Sequence, residues 1–321
     1  MVRALRAVLP VVDTLLDRTI VPGYSKIGYS LRRSWWAADV PDGVLDGHTV
    51  AITGANSGLG KATAIGAARL GAGVRMLCRD IERGERARAE VVAAVPGASV
   101  VVDECDLSSL KSVRATASRL RDELPSLRGL VHNAGVLPPE RTETEDGHEL
   151  TVATHVLGPH LLTAELRPLL GADSDPRVVF VSSGGMYAQR LRIDDPEFHE
   201  GEYDGTAAYA RTKRMQVVLA ELWAKRMPGV GVHSMHPGWA DTPGVTDSLP
   251  TFAKLTAPIL RTAAQGADTV VWLLAAEAAG ETSGLFWHDR RARPTSYLPF
   301  TRYSDEDAEK LWDYCAVATR L

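Results

Sequence analysis

From Gly47 onward, short β-branched runs alternate with longer stretches in which apolar residues return every three or four positions. Such alternation marks βαβ units, which build a parallel sheet with helices on its faces. His48–Thr53 reads as the first strand and Leu59–Leu70 as the first helix, closed by Gly71 and Gly73. Val74–Cys78 is the second strand, followed by an Arg/Glu-rich helix to about Ala94 and a third strand at Val100–Val102. A helix covers Ser108–Glu123, with Ser108 or Ser109 as its N-cap. Leu130–His132 is a buried fourth strand, and a long helical region spans about Gly147–Leu170 with a bend expected near Pro159. Val178–Ser182, the helix Ala207–Arg226 and Val230–His236 continue the alternation. From Pro237 to about Ile259 periodicity is weak and proline frequent, which reads as a mobile loop with short helices. A helix at Ala263–Ala276 and a short strand near Gly284–Trp287 follow. Ser304 starts a terminal helix that puts Ala308, Leu311, Trp312 and Cys315 on one face. The expected fold class is α/β: one doubly wound domain over residues 47–321, with a mainly parallel seven-stranded sheet.

Residues 1–46 form an extension outside this pattern. Leu5, Val8, Leu9, Val12, Leu15, Leu16 and Ile20 are interspersed with Arg3, Arg6, Asp13, Asp17 and Arg18, and Pro10 is expected to interrupt any continuous helix. No uncharged run approaches the roughly 20 residues that a bilayer-spanning helix needs. The segment also lacks the unbroken apolar core and small-residue cleavage site of a signal peptide. An amphipathic segment of this kind packs on the main domain, on a second subunit or on a membrane surface, and the sequence leaves all three open. Trp35-Trp36 has the look of an interfacial anchor, but an aromatic plug covering the sheet is the expectation.

Composition adds mainly exclusions. The chain has 36 Lys and Arg against 40 Asp and Glu, so its net charge of −4 offers no concentrated basic face for nucleic acid. Its three cysteines, Cys78, Cys105 and Cys315, have no metal-ligand spacing. An odd count without a secretory leader points to reduced thiols and a cytoplasmic location. Cys78 and Cys105 are expected near each other at neighbouring strand ends, as packed thiols. His233 and His236 flank a strand end without metal partners, so packing or hydrogen bonding is their expected role and no metal is expected.

Thr53-Gly54-Ala55-Asn56-Ser57-Gly58-Leu59-Gly60 lies directly between the first strand and the first helix. Glycines there permit a tight turn and let a pyrophosphate approach the helix N-terminus without meeting a Cβ. Gly54, Asn56, Ser57, Gly58, Leu59 and Gly60 are therefore expected at a dinucleotide. Folds that prefer NAD place an acid at the end of the second strand to hold the ribose hydroxyls. Here Cys78 holds that place and Arg79 follows, a pairing suited to a 2′-phosphate and hence to NADP(H). Asp80 would reach the ribose instead were the strand one residue longer. Asp106, after the third strand, suits either the adenine amino group or the start of the next helix.

Tyr209-Ala210-Arg211-Thr212-Lys213 sets a phenol and an ammonium one helical turn apart on one face. An ammonium about 5 Å from a phenol lowers the phenol's pKa and fits the pair for proton exchange at a carbonyl or alcohol. Ser182-Ser183 ends the apolar strand Val178–Val181, and Pro237-Gly238-Trp239-Ala240-Asp241-Thr242 ends the next, where ligands of such sheets gather.

The glycine loop, His132-Asn133-Ala134-Gly135, Ser183, Tyr209 with Lys213, and the Pro237-Gly238 to Thr242 turn occur in an order that resembles short-chain dehydrogenases/reductases, over about residues 45–290. Ser182–Met186, Met235–Val245, Ala264–Thr269 and Gly23–Tyr29 resemble the retinol-dehydrogenase-like branch in particular. The resemblance implies a Rossmann-type domain and hydride transfer between NADP(H) and an apolar carbonyl or alcohol. It implies that Ser183 polarises the substrate oxygen, that Tyr209 exchanges the proton and that Lys213 also holds the nicotinamide ribose. Asn133, Ala134 and Gly135 would line the cofactor cleft, and Leu107 would lie there beside Asp106. Pro237, Gly238 and Thr242 would meet the carboxamide side. Homo-oligomers are expected from the family.

Two departures stand out. Relatives carry Asn three residues before the glycine matching Gly158, where it helps hold a proton-relay water; this chain has His155, counted here with the catalytic group. That change keeps an alternative open, a cofactor-binding scaffold or redox sensor with weak or no catalysis. The other departure is the 26-residue step from Ser183 to Tyr209, which implies an insertion bearing Asp194, Asp195 and Glu197, read as a surface flap beside the substrate mouth.

Overall fold

The computed structural model describes residues 2–241, 254 and 256–321. Strands β1 (Thr49–Thr53), β2 (Gly73–Cys78), β3 (Val100–Glu104), β4 (Gly129–His132), β5 (Arg177–Val181), β6 (Gly231–Met235) and β7 (Leu285–His288) run parallel. An eighth strand, β8 (Arg291–Arg293), pairs antiparallel with β7 and makes the order β3-β2-β1-β4-β5-β6-β7-β8. The seven-stranded expectation missed β8 because Arg-Ala-Arg carries no alternating apolar signal.

Helices α1 (Val2–Arg18), α2 (Ile20–Tyr24) and α3 (Lys26–Arg33) precede the sheet. Within it come α4 (Gly58–Arg69), α5 (Ile81–Ala94), α6 (Leu110–Glu123), the short α7 (Leu150–Val152), α8 (Gly158–Gly171) and α9 (Gly205–Arg226). After β6 follow α10 (Ala263–Ala275), α11 (Glu277–Gly280) and, past β8, α12 (Asp305–Thr319). Ser109, not Ser108, caps α6, and Ser304 caps α12.

Successive side chains of a strand point to opposite faces, and here both faces are covered. Ala51, Leu77, Leu130, Val178 and Phe180 pack into one core with α6, α8, α9 and α12. Their neighbours Ile52, Met76, Val131, Val179 and Val181 enter a second core with α4, α5 and α10. The strand order reverses between β1 and β4, and the crevice at the carboxyl ends of such a reversal is where this architecture binds ligands. Cys78 and Cys105 end neighbouring strands, and all three cysteines are free and buried.

The extension packs on the β7–β8 edge of the sheet. Contrary to expectation, α1 runs through Pro10 as one helix. A proline forfeits one backbone donor, while Asp13 and Asp17 tie the C-terminal part of the helix to the sheet edge. Trp36, of the tryptophan pair, packs edge-on against Tyr29 and under the Arg290 guanidinium at the β7–β8 turn.

Candidate active site

The glycine loop is held by a clamp between β1 and β4. Gly54 has φ +63°, and a Cβ there would stand 2.8 Å from the Ala134 Cα. Asn133 donates through Nδ2 to the carbonyls of Thr53 (3.0 Å) and Gly54 (3.2 Å). Thr53 Oγ1 accepts from the backbone N–H groups of Asn133 and Ala134. Asn133, expected as a cleft-lining residue, thus braces the loop. Ser57, the N-cap of α4, makes no side-chain bond to the helix, and the first turn holds no acid. By contrast, Asp80, Ser109 and Asp204 cap α5, α6 and α9. The N-terminus of α4 therefore opens on the crevice without an anion of its own, which fits a pyrophosphate.

At the end of β2, burial pushes the Cys78 thiol up to about 11, although backbone N–H groups of Ala55 and Asn56 donate to its sulfur. Arg79 is exposed, and Asp80 accepts from the Arg83 N–H at 2.9 Å as a helix cap. Asp106 lies in the turn before α6, where its Oδ1 accepts from the Ser108 N–H and hydroxyl. The Leu107 side chain is buried in the core with α6 and α8, which leaves only its backbone to face the cleft.

Tyr209, Ser183 and Lys213 converge at the end of β5. Ser182 donates to the Lys213 carbonyl at 2.8 Å and is buried, whereas Ser183 lies within hydrogen-bond reach of the Tyr209 phenol and is partly exposed. Burial raises the Tyr209 phenol above its ordinary value, and the bond with Ser183 pulls the other way. Desolvation brings the Lys213 ammonium down to about 7. Its Nζ sits 5.3 Å from the Tyr209 ring centroid and donates to the Val181 carbonyl at 2.8 Å and to Gln216 Oε1 at 3.0 Å. The helical spacing alone lets the lysine charge dominate the phenol; in the folded chain, burial of both groups outweighs it.

His155 occupies a π-turn, Ala153–Leu157, in place of the simple bend expected at Pro159. Its Nε2 accepts from the Val136 N–H at 2.9 Å, so Nδ1 carries the proton and donates to Thr212 Oγ1 at 2.8 Å. Thr212 in turn donates to the Tyr209 carbonyl. Burial first, and the Lys213 charge second, hold the imidazole well below its usual range, so it stays neutral. Both ring nitrogens, expected to serve catalysis, are thus engaged by protein, and His155 ties the π-turn to the start of the post-β4 loop and to α9. Gln216, which the sequence pattern does not single out, belongs beside Lys213; only its i+3 spacing from Lys213 hints at it.

Residues 48–251 match the short chain dehydrogenase family. The chain belongs to that family. The dehydrogenase is 43% identical to dehydrogenase/reductase SDR family member 12 of Bos taurus over 89% of this chain and 90% of that protein. It is 36% identical to retinol dehydrogenase 12 of Bos taurus over 84% and 85% of the two chains. A crystal structure of a short chain dehydrogenase from Escherichia coli CFT073, complexed with NADPH, aligns with a TM-score of 0.65 at 22% identity, covering 78% of this chain and all of that one.

In this dehydrogenase the surface opens about one turn before Tyr209. A cavity of about 680 Å³ is lined by Leu137, Pro139, Tyr203 and Gly205 together with Glu202, Asp204 and Thr206. The insertion is a pinned segment where a surface flap was expected. Asp195 accepts from the N–H groups of His199 and Glu200, and Glu197 accepts from the Glu149 N–H and the Tyr314 hydroxyl. Pro237 and Gly238 sit at the crevice end of β6, while Thr242 and residues 243–253 lie outside the described residues. Tyr24 from the extension braces this end: its carbonyl accepts from the Trp239 N–H at 2.8 Å, and its ring lies against Gly184. His236 stacks on His288 at 3.8 Å, and His233 bonds the Ala279 carbonyl and the Trp287 indole, which are packing roles.

Proposed function

We propose that this dehydrogenase exchanges hydride between NADP(H) and an apolar carbonyl or alcohol, with Tyr209 as the proton-exchanging group. The observation that carries the reading is the convergence of the Ser183 hydroxyl, the Tyr209 phenol and a buried Lys213 at the sheet's ligand-binding end. The nicotinamide supplies the hydride acceptor or donor. Gly58–Gly60 at the α4 N-terminus would hold the pyrophosphate, and Arg79 the 2′-phosphate, because Asp80 is engaged as a cap and leaves no free carboxylate to compete. The NADPH bound by the E. coli dehydrogenase supports the same choice. Ser183 would donate to the substrate oxygen while Tyr209 gives or takes its proton, and Lys213 would hold the nicotinamide ribose. The retinol dehydrogenase relative supports an apolar substrate.

Tyr209→Phe tests the reading. NADPH should bind as in the parent by fluorescence titration. Turnover of a panel of apolar aldehydes and ketones, followed by NADPH absorbance, should fall by about a hundred- to ten-thousandfold. Unchanged turnover removes Tyr209 from the chemistry and the proposal with it.

A further inference from the structure

The Lys213 ammonium has three protons to place. One goes to the Val181 carbonyl and one to Oε1 of Gln216. The other end of the same amide, Nε2, donates to the His155 carbonyl at 2.9 Å. Pro159, four residues on, has no N–H to return to that carbonyl, and the π-turn shifts the local bonding, with the Gly158 N–H reaching back to Ala153. Gln216 itself is fully buried. Its amide thus ties the Lys213 ammonium to the His155 carbonyl through two buried hydrogen bonds.

We infer that Gln216 is a positioning residue for Lys213, its amide fixing the ammonium beside Tyr209 and replacing a water between Lys213 and the His155 carbonyl. The inference rests on the reading of Tyr209 and Lys213 as the proton-exchanging pair. It departs from the relay water that the family resemblance implies at this point. A water or hydroxyl passes a proton along a chain by accepting one and releasing another. A neutral amide accepts the Lys213 hydrogen bond and passes nothing on. The proton that Tyr209 gives up in a reduction is then replaced from the cleft, through the third ammonium proton, and not through the His155 carbonyl. Two titratable side chains face Nζ: Tyr209 on the same helix, and His155 on the π-turn, whose nitrogens are both engaged. Desolvation alone accounts for the lowered lysine, so no carboxylate among the described residues acts on it.

Three substitutions separate bonding from packing. Gln216→Leu keeps most of the volume and removes both bonds; Gln216→Ala removes the bonds but leaves room for a bridging water; Gln216→Glu keeps the shape and the bond from Lys213, adds a charge and gives up the bond to the His155 carbonyl. A packing role ranks Leu above Ala in turnover, whereas a bonding role ranks Ala above Leu. The expected loss in kcat is about thirtyfold for Leu and several-fold for Ala, with the KM for NADPH little changed. The apparent pKa of kcat assigned to the lysine should move up by about one unit in Glu and down in Leu. Gln216→Glu, being isosteric, reads that shift even where Leu fails to fold. Leu equal to or above Ala, or an unmoved pH profile in Glu, overturns the inference. If Tyr209→Phe retains turnover, the functional reading fails instead; if Tyr209→Phe is dead while Glu leaves the profile unmoved, only the role of Gln216 fails.

Discussion

Removing one charge, at Asp13, should loosen the whole N-terminal extension. The carboxylate is 2% exposed and accepts from Arg32 Nε at 2.7 Å, Arg291 Nη1 at 2.6 Å and both terminal nitrogens of Arg293 at 2.7 and 2.9 Å. It thus joins α1 to α3 and to β8. In Asp13→Asn the shape persists and the charge goes. Arg291, with a side chain 48% exposed, turns to water and contributes little to the loss. Arg32 and Arg293, at 1% and 4%, have no such recourse. Breaking a buried pair and stranding its partner costs about 3–5 kcal/mol. Asp17 still holds Arg293 and Asp289 still holds Arg32, which places the cost at the lower end, about 3 kcal/mol, or roughly a hundredfold more of the detached state. Trypsin cleavage at the exposed Arg18 and Lys26 reads that population directly when closing outpaces cleavage. A cleavage rate within about threefold of the parent would refute the reasoning, because it would mean that the buried arginines do not depend on Asp13.

The same site sets an acid limit. Burial by itself would raise the Asp13 carboxyl, but hydrogen bonds and charges from Arg293 and Arg32 outweigh it and hold the group at about 2, below its ordinary 3.8. A folded pKa below the unfolded one stabilises fully above pH ~4 and is lost as the pH falls through ~2. Parent protein should therefore release the extension across that window, and Asp13→Asn should lack this component of the acid transition.

Two buried cations or near-cations give further tests. Lys213→Met should abolish turnover yet raise stability at pH 6 by about 2 kcal/mol in urea unfolding, after the lost hydrogen bonds are deducted. Because the folded lysine titrates at about 7 against 10.5 unfolded, the parent recovers stability as the pH rises between those values, and the gain should shrink accordingly; a gain independent of pH would show that the lysine is not desolvated. His160 is 1% exposed between Trp223 and Trp312, with neither ring nitrogen partnered among the described residues, and burial lowers it to about 4. His160→Phe should stabilise by about 1–2 kcal/mol near pH 7, and by more as the pH falls from 6.5 towards 4; a net loss would show that the imidazole is satisfied after all.

What the sequence makes legible is local or periodic. Strands such as Val178–Val181 announce themselves because both faces of a parallel strand are apolar, and the caps at Ser109 and Ser304 because a hydroxyl precedes a helical run. Ser183, Tyr209 and Lys213 can be found because a strand end and one helical turn fix their spacing. The π-turn is not legible, since bonds to the fifth residue and bonds to the fourth use the same backbone groups and nearly the same side chains. The role of His155 is hidden for the same reason: its partners Val136 and Thr212 lie 19 and 57 residues away, and only the fold brings them to it.

The extension shows a deeper limit of pattern reading. An amphipathic helix is ordinarily docked by its apolar stripe, with its charges in water. Among the described side chains of α1 the polarity is inverted: Val11 and Leu15 are 60% and 62% exposed and Leu9, Val12 and Leu16 half-buried, while Asp13 and Asp17 are buried. The surface that receives α1 explains the inversion, because β8 and its flanks present Arg291, Arg293 and Arg261, which Asp13, Asp17 and Asp289 neutralise. An apolar stripe laid on those arginines would have stranded their charges, at a cost far above that of a few exposed aliphatic side chains. Amphipathic spacing therefore predicts that one face of a helix is buried; which face it is depends on the charge of the surface on which it lands.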